Sequence, residues 1–321
     1  MRRRGTAFSS KCRICSRQTP FSLPVCPDCS KKDEVLDVAV SLHPPLYDTG
    51  VERCRLCSNE CSGTAFCGKP EYGKLTYYED PLPTNCCNAW FCKGSRLTGT
   101  NLAVFYYGCN FDCLYCQNWT HKHFEYVRKV DIEELLRAVK NFRVKCICHF
   151  GGSPEPQLPF ALKFSRKALK LREDLMICWE WNGAGNTSLA LKAAELSFKS
   201  GGTVKFDLKA WNRNLHILLT GRDNERVKHN FERIFDKFGE EVLSATTLLV
   251  PLYVDEEEVE GIARFISSLS PEIPYSLLVF HPDYRMSDFP VTPVDQVKRC
   301  YEAARRHLKK VNVGNLHLLG L

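Results

Sequence analysis

The chain has 321 residues, 44% hydrophobic and 25% charged, and 44 Lys plus Arg against 37 Asp plus Glu leave a net charge of +7. These ordinary globular values exclude disordered and fibrous architectures, and at roughly 100–200 residues per domain the length predicts one large domain with a small attachment, or two domains. The basic excess is slight and spread along the chain, so no nucleic-acid partner is expected. No apolar run approaches the ~18 residues of a membrane span. The basic start has no apolar stretch behind it, so no secretory signal is expected and the expected location is the cytoplasm.

Cysteine is the anomaly. There are 18, and fourteen fall between residues 12 and 116. Thiols in Cys-x-x-Cys pairs of a cytosolic chain read as metal ligands before disulfides. Cys12-x-x-Cys15 and Cys26-x-x-Cys29 can each present two thiolates from a tight turn, and together they complete a closed tetrahedral shell, the pattern of a structural zinc ion. Cys54, Cys57, Cys61 and Cys67 follow, and then Cys86, Cys87 and Cys92. Seven thiols exceed one tetrahedral site, so either a second zinc or an auxiliary iron–sulfur cluster fits them; the adjacent Cys86 and Cys87 are not expected to share an ion.

The third group is of another kind. An apolar strand near 102–108 ends at Gly108 and leads into Cys109-Asn-Phe-Asp-Cys113-Leu-Tyr-Cys116. Iron–sulfur clusters are normally held by four cysteines. Three would leave one iron of a [4Fe–4S] cube open to a small molecule, as catalytic metal sites are left open. Further apolar runs near 143–150, 174–181, 203–208, 242–250 and 274–281 alternate with helical periodicity, as in Ile132–Val139 and Ser188–Leu196. Strands alternating with helices predict a parallel sheet with function at the carboxyl ends of the strands, and six units fall short of the closed eight-fold barrel. Within the second of these runs Cys146 and Cys148 read as packing, as do Cys178 and Cys300 further on.

Those strand ends carry the unusual residues: Gly151-Gly152-Ser153-Pro-Glu155, Asn182-Gly183, Asp207-Leu-Lys209 and Phe280-His281-Pro282. The paired glycines would let a ligand approach the backbone. Recurrence of polar groups at one end of consecutive strands predicts a shared active-site rim.

The Cys109–Cys113–Cys116 spacing with Tyr115, together with these strand ends, His216, the Leu219-Thr-Gly221 block and Leu248-Leu-Val-Pro251, resembles the radical S-adenosylmethionine superfamily. Within it the chain is most similar to the pyruvate formate-lyase (glycyl-radical enzyme) activating enzymes. Cys54-Arg-Leu-Cys57 through Cys61, with Phe66-Cys67-Gly68, resembles the AmmeMemoRadiSam-system radical enzyme. The resemblance implies a partial (β/α)6 barrel of α/β class behind a Cys-rich, metal-stapled N-terminal region. The expected organisation is a zinc-ribbon-like segment at 1–33, a Cys-rich metal-binding extension at 34–99, the radical core at 100–285 and a helical tail at 286–321.

It further implies that Cys109, Cys113 and Cys116 hold a [4Fe–4S] cluster whose open iron binds S-adenosylmethionine, cleaved to a radical that abstracts hydrogen. Gly151 and Gly152, with Ser153, would receive the methionine amine, Tyr115 would lie by the adenine, and Asn182 and Asp207 would bind ribose and carboxylate. Lys209 would act near the carboxylate, and His281 near the same carboxylate or as a proton donor. The implied partners are a protein substrate and a reduced flavodoxin or ferredoxin-type donor. Radical modification of a peptide, RNA or small metabolite is the alternative; a zinc-binding interaction module without catalysis is the alternative of another class. The chain departs from the activating enzymes at Thr246 and Thr247, where they often carry arginine, and at Leu252, where they carry glycine.

Overall fold

The structure is a computed structural model that describes residues 10–19, 21–43, 54–61, 70–84, 86–123 and 126–320. The chain opens on a two-residue hairpin, β1 (Ser10–Lys11) and β2 (Gln18–Thr19), followed by helix α1 (Val35–Leu42). Strand β3 (Tyr72–Pro81) then runs antiparallel to β4 (Thr100–Tyr106) and to the short β5 (Lys129–Asp131). From β5 onward helices and strands alternate: α2 (Ile132–Val139), β6 (Val144–Gly151), α3 (Leu158–Leu171), β7 (Met176–Trp181), α4 (Thr187–Ser200) and β8 (Val204–Asp207). Then come α5 (Arg213–Thr220), α6 (Glu225–Phe238), β9 (Leu243–Leu249), α7 (Glu256–Leu269), β10 (Tyr275–Val279), α8 (Val294–Arg305) and β11 (Val311–Gly314).

The nine-stranded sheet has the order β11-β10-β9-β8-β7-β6-β4-β3-β5, and every adjacent pair in the run from β11 to β4 is parallel. All six expected strands are present. Two of the expected segments outside the core add strands to its sheet. The extension at 34–99 contributes β3 to the sheet of the core, and the tail at 286–321 is not only helical, because β11 adds a seventh parallel strand beside β10. A four-residue strand flanked by helix α8 carries too little periodicity to be read from sequence.

Period-two alternation divides the sheet into two chemically different faces. Val104, Tyr106, Ile147, Trp179, Trp181 and Phe206 point to the helices and are buried in the main core, where His149 stacks on Trp179 at 4.1 Å and bonds Tyr106 and Ser165. The opposite face lines the inside of the curved sheet and is polar and thiol-rich: Cys146, Cys148, Cys178, Glu180, Lys205 and Asp207 all fall on it. Helices α2, α4, α5 and α7 start on Asp131, Asn186, Asn212 and Asp255, whose side chains accept a first-turn N–H each. Such caps contribute about 1 kcal/mol each. Leu252, in the turn after β9, has φ +69° and is 45% exposed, so the backbone keeps a conformation that glycine adopts without strain.

The N-terminal segment is built onto this body. Ser22 donates from its N–H and hydroxyl to Asp288 at 2.6 and 2.8 Å, Tyr253 Oη donates to the Val25 carbonyl at 2.6 Å, and Phe21 packs on Phe289 at 4.4 Å. Lys31 lies among Asp255, Glu257 and Glu258 at 3.4–3.5 Å.

Candidate radical site

The carboxyl ends of β4, β6, β7 and β8 surround a cleft of about 230 Å³ lined by Cys109, Cys113, Tyr115, Cys116, Gly151, Gly152, Ser153, Asn182, Asp207 and Lys209. Of the strand-end residues, Gly151, Gly152, Ser153, Asn182, Asp207 and Lys209 line this cleft, whereas Glu155, Gly183, Phe280, His281 and Pro282 do not. His281 is a correction: it is exposed beyond the end of β10, its Nδ1 lies 2.9 Å from Asp283, and it does not line the cleft. The turn after Phe280 carries its ring outward, a direction that sequence spacing does not encode.

The cysteine loop is held from outside by backbone bonds. Asp112 N–H donates to the Thr220 carbonyl and Leu114 N–H to the Leu219 carbonyl, at 2.8 and 3.0 Å. The Leu219-Thr-Gly221 block is thus the dock for the loop. Asp112 also meets Lys122 and lies 3.0 Å from His43 Nδ1, whose Nε2 is 2.9 Å from the Leu218 carbonyl. Burial pushes the Asp112 carboxyl up, but His43 and Lys122 outweigh it and hold it down at about 2. The His43 ring thereby ties α1 to the loop.

Inside the cleft the thiols meet donors. Phe111 N–H and the Asn182 amide point at Cys109 Sγ from 3.3 and 3.6 Å. Burial pushes the Cys109 thiol well up and Cys113 up to about 12, where Lys209 partly opposes it. Among the described residues, Tyr115 Oη and His121 Nδ1 are buried without a hydrogen-bond partner, and both residues line the cleft. Donors aimed at sulfur and orphaned polar atoms fit thiolates holding a metal cluster with a polar ligand beside it.

The other residues take more specific places than the sequence indicated. The Gly152 N–H is already used by the Tyr106 carbonyl at 2.9 Å, and Ser153 N–H by that of Gly108 at 3.2 Å. A Cβ on Gly151, at φ +119°, would stand 2.6 Å from Tyr106 N, and one on Gly152 would stand 2.3 Å from the Gly108 carbonyl. The glycine pair therefore lets β6 close against β4 as well as exposing backbone to the cleft. Asn182 forms a reciprocal amide pair with Asn110 at 2.7 and 3.2 Å, and so spans the cysteine loop and the end of β7.

At the end of β8, Asp207 is clamped between Lys205 at 2.9 Å and Lys209 at 2.7 Å. Burial alone would raise the carboxyl, but the two ammonium groups hold it well below the usual range; burial would lower Lys209, and Asp207 raises it instead. Lys209 Nζ also sits 6.0 Å over the Tyr115 ring. The clamp fixes a cation in the cleft next to the thiols.

Sequence reading left Glu155 without an assigned role. It is fully buried, accepts the Gly183 N–H at 2.7 Å and the Ser153 hydroxyl, and so ties the loop after β6 to the loop after β7. Burial, against those donors, pushes its carboxyl up to about 7. Because the folded value lies above the unfolded one, the native state holds more protons between about pH 4.5 and 7, and stability falls as pH rises through that window. The expected loss is about 3 kcal/mol. Urea midpoints at pH 5 and 7.5 should show it in the native chain and not in Glu155→Gln.

The family profile of the Radical SAM superfamily matches residues 103–266. The chain belongs to that superfamily. It is accordingly an enzyme, and the family implies a [4Fe–4S] cluster and S-adenosylmethionine. A Methanocaldococcus jannaschii protein provisionally named as a glycyl-radical enzyme activating enzyme is 28% identical over 214 residues, covering 66% of this chain and 79% of its own length. The isethionate sulfite-lyase activating enzyme of Desulfovibrio desulfuricans is 32% identical over 135 residues, 41% of this chain and 40% of that one. Among solved structures, a domain of a pyruvate-formate lyase-activating enzyme from Bacteroides vulgatus matches with TM-score 0.44 and 16% identity, over 52% of this chain and 98% of that domain.

The N-terminal thiols also converge. The sulfurs of Cys12, Cys15, Cys26 and Cys29 all lie within 4.8 Å of one another. Arg17 donates to Cys15 Sγ at 3.3 Å and holds that exposed thiol down at about 6. Cys54, Cys57 and Cys61 form no comparable group among the described residues, and Cys67, with Phe66 and Gly68, lies outside them. The Cys54–Cys61 segment instead braces the site: Ser58 N–H donates to the Ala184 carbonyl at 2.9 Å and the Asn110 amide to Ser58 Oγ at 3.3 Å. No helix among the described residues is long and apolar enough to cross a membrane.

Proposed function

We propose that Cys109, Cys113 and Cys116 hold the [4Fe–4S] cluster, and that the enzyme acts on a protein partner as a glycyl-radical-enzyme activase-like protein. When bound and reduced, the cluster supplies the electron that cleaves S-adenosylmethionine to methionine and a 5′-deoxyadenosyl radical. The chain's own residues bind and orient. Lys209, held charged by Asp207, offers its ammonium to the methionine carboxylate. Asn182 fixes the position of Cys109, and the free edge of the glycine pair faces the methionine amine. Tyr115 presents an apolar ring face near the adenine, with Lys209 above it.

The observation that carries the choice of a macromolecular substrate is the mouth of the cleft. Directly after Cys116 the chain rises to an exposed ledge, Gln117–Thr120, where Trp119 is 39% exposed and stacks at 6.1 Å on Tyr284. An exposed aromatic three residues from a cluster thiol suits docking of a protein segment, since aromatic residues are enriched where proteins meet. The names carried by the relatives above point the same way. An external one-electron donor of the flavodoxin or ferredoxin type would reduce the cluster, and the four N-terminal thiolates would hold a structural zinc ion. The test is anaerobic turnover with deuterium-labelled candidate partners. Label passing from protein to 5′-deoxyadenosine is the expected result; label arriving only from RNA or a small molecule would reject the activase reading.

A further inference from the structure

Below the radical cleft, toward the amino ends of the strands, lies a second cavity of about 120 Å³ lined by Cys86, Cys92, Cys146, Cys148, Cys178 and Glu180. Its floor is the segment from Cys86 to Arg96, plugged into the inside of the sheet. The Asn88 amide donates to Thr203 at 3.2 Å and accepts from Ser244 at 3.1 Å, and Trp90 Nε1 donates to Ser276 at 3.0 Å. Cysteines read from sequence as two unrelated sets, loop ligands and strand packing, therefore face one another. Cys146, Cys148 and Cys178 are buried, as expected, but they face this cavity rather than the helices.

The surroundings of these sulfurs are not those of packing thiols. A buried free cysteine usually behaves as a small hydrophobe among apolar side chains. Here Cys86 Sγ–H donates to Glu180 Oε1 at 3.0 Å and Cys148 Sγ–H to the same oxygen at 3.4 Å. The ligand atoms of Cys86, Cys87 and Glu180 all lie within 4.8 Å of one another. Thr246 Oγ1 donates to Cys87 Sγ at 3.5 Å, and Asn88 N–H to Cys86 Sγ at 3.3 Å. Lys205 Nζ, on the adjacent strand, stands 3.4 Å from the other oxygen of Glu180. Several thiols converging on a half-buried carboxylate, with donors aimed at two of the sulfurs and a cation behind, suit a metal shell better than a packing layer.

We infer that Cys86, Cys87 and Glu180 form a second metal centre for a single thiophilic divalent ion of the zinc class, with Cys148, which lies outside that 4.8 Å group but bonds the same Glu180 oxygen, drawn in on binding as the third thiolate. On binding, the ion displaces the thiol protons, which pass to solvent, and the Lys205 ammonium offsets part of the negative charge. The vicinal Cys86 and Cys87 share this ion because the plug turns both sulfurs toward Glu180. Glu180 also lines the radical cleft, so the ion would fix a side chain of the substrate space from behind. The site does not depend on the activase reading, and either can fail alone.

Cobalt(II) is the probe, loaded into the full chain under anaerobic, reducing conditions. Cys86→Ser and Cys148→Ser are each expected to lose one metal equivalent, with the matching loss of sulfur-to-cobalt charge-transfer absorption. Cys29→Ser should lose a different equivalent, additive with the first, while Cys300→Ser, at a buried thiol remote from both groups, should lose none. Glu180→Gln should weaken cobalt binding and leave the N-terminal site unchanged. Unaltered stoichiometry in Cys86→Ser and Cys148→Ser overturns the inference. A loss of iron and sulfide in place of cobalt overturns it too, by assigning the thiols to a cluster. Should the variants fail to fold, X-ray absorption on the cobalt-loaded native chain decides: a mixed sulfur and oxygen shell is expected, and an all-sulfur shell rejects the site.

Discussion

Cys113→Ala is expected to abolish both the visible absorbance of the cluster and all production of 5′-deoxyadenosine, while the far-ultraviolet circular dichroism stays native. Three thiols are the fewest that hold a cube with one iron open, so the loss is expected to be complete rather than graded. The fold should survive because the loop is anchored elsewhere: Asp112 and Leu114 hang on the carbonyls of Thr220 and Leu219, and His43 holds the Asp112 carboxylate. A Cys113→Ala protein that still cleaved S-adenosylmethionine would remove this loop from the mechanism. Anaerobic absorbance and chromatography of the nucleoside products read both quantities in one preparation.

Asp207→Ala is expected to cost about 3 kcal/mol of stability and to weaken S-adenosylmethionine binding in the same variant. Removing one member of a buried charge cluster costs about 3–5 kcal/mol where it leaves a partner uncompensated, as it would Lys209, while Lys205 keeps Glu180 at 3.4 Å. The lower end applies because the Asp207 side chain keeps 26% of its surface exposed to the cleft, whereas Lys205 and Lys209 keep 9% and 16%. The two ammonium groups would then face each other without the carboxylate, and Lys209 would leave its place above Tyr115. The pH dependence has a definite sign. The folded carboxyl is depressed, so its contribution is fully present above the ordinary carboxylate range, roughly pH 4, and is lost as pH falls below it. Urea denaturation at pH 7 should therefore separate the native chain from Asp207→Asn, and the gap should shrink in acid. An Asp207→Asn protein as stable as the native chain at pH 7 would show that the clamp contributes nothing.

How far the sequence determined the outcome can be followed residue by residue. The three-thiol loop, the six parallel strands and the polar strand ends were legible because each rests on local signals: cysteine spacing, period-two alternation, and glycine and proline at turns. The four-thiol knuckle was legible for the same reason, since its thiols come from two tight turns close in the chain. Other features depended on which segments meet. The Leu219-Thr-Gly221 block reads as a motif but acts as a backbone dock, because its carbonyls happen to face the cysteine loop. Glu155 became a strut between two strand ends only when burial and the Gly183 N–H closed around it. His281 matched a pattern, yet the turn after β10 carries it to the surface.

The thiols show the division most sharply. Alternation along β6 places Cys146 and Cys148 on the same side of the strand, but it cannot say whether that side meets helices or the inside of a curved sheet. The sign was decided by closure of the parallel strands around the plug from Cys86 to Arg96, which brought sulfurs 62 positions apart, Cys86 and Cys148, onto one carboxylate oxygen. Sequence by itself determined the six core strands, the three-thiol loop and the N-terminal four-thiol knuckle, because those are set by spacing within a turn or a strand. Tertiary structure alone decided the face, the clamp and the floor, because hydrogen bonds and burial depend on which distant segments share a cavity, and nothing local encodes that.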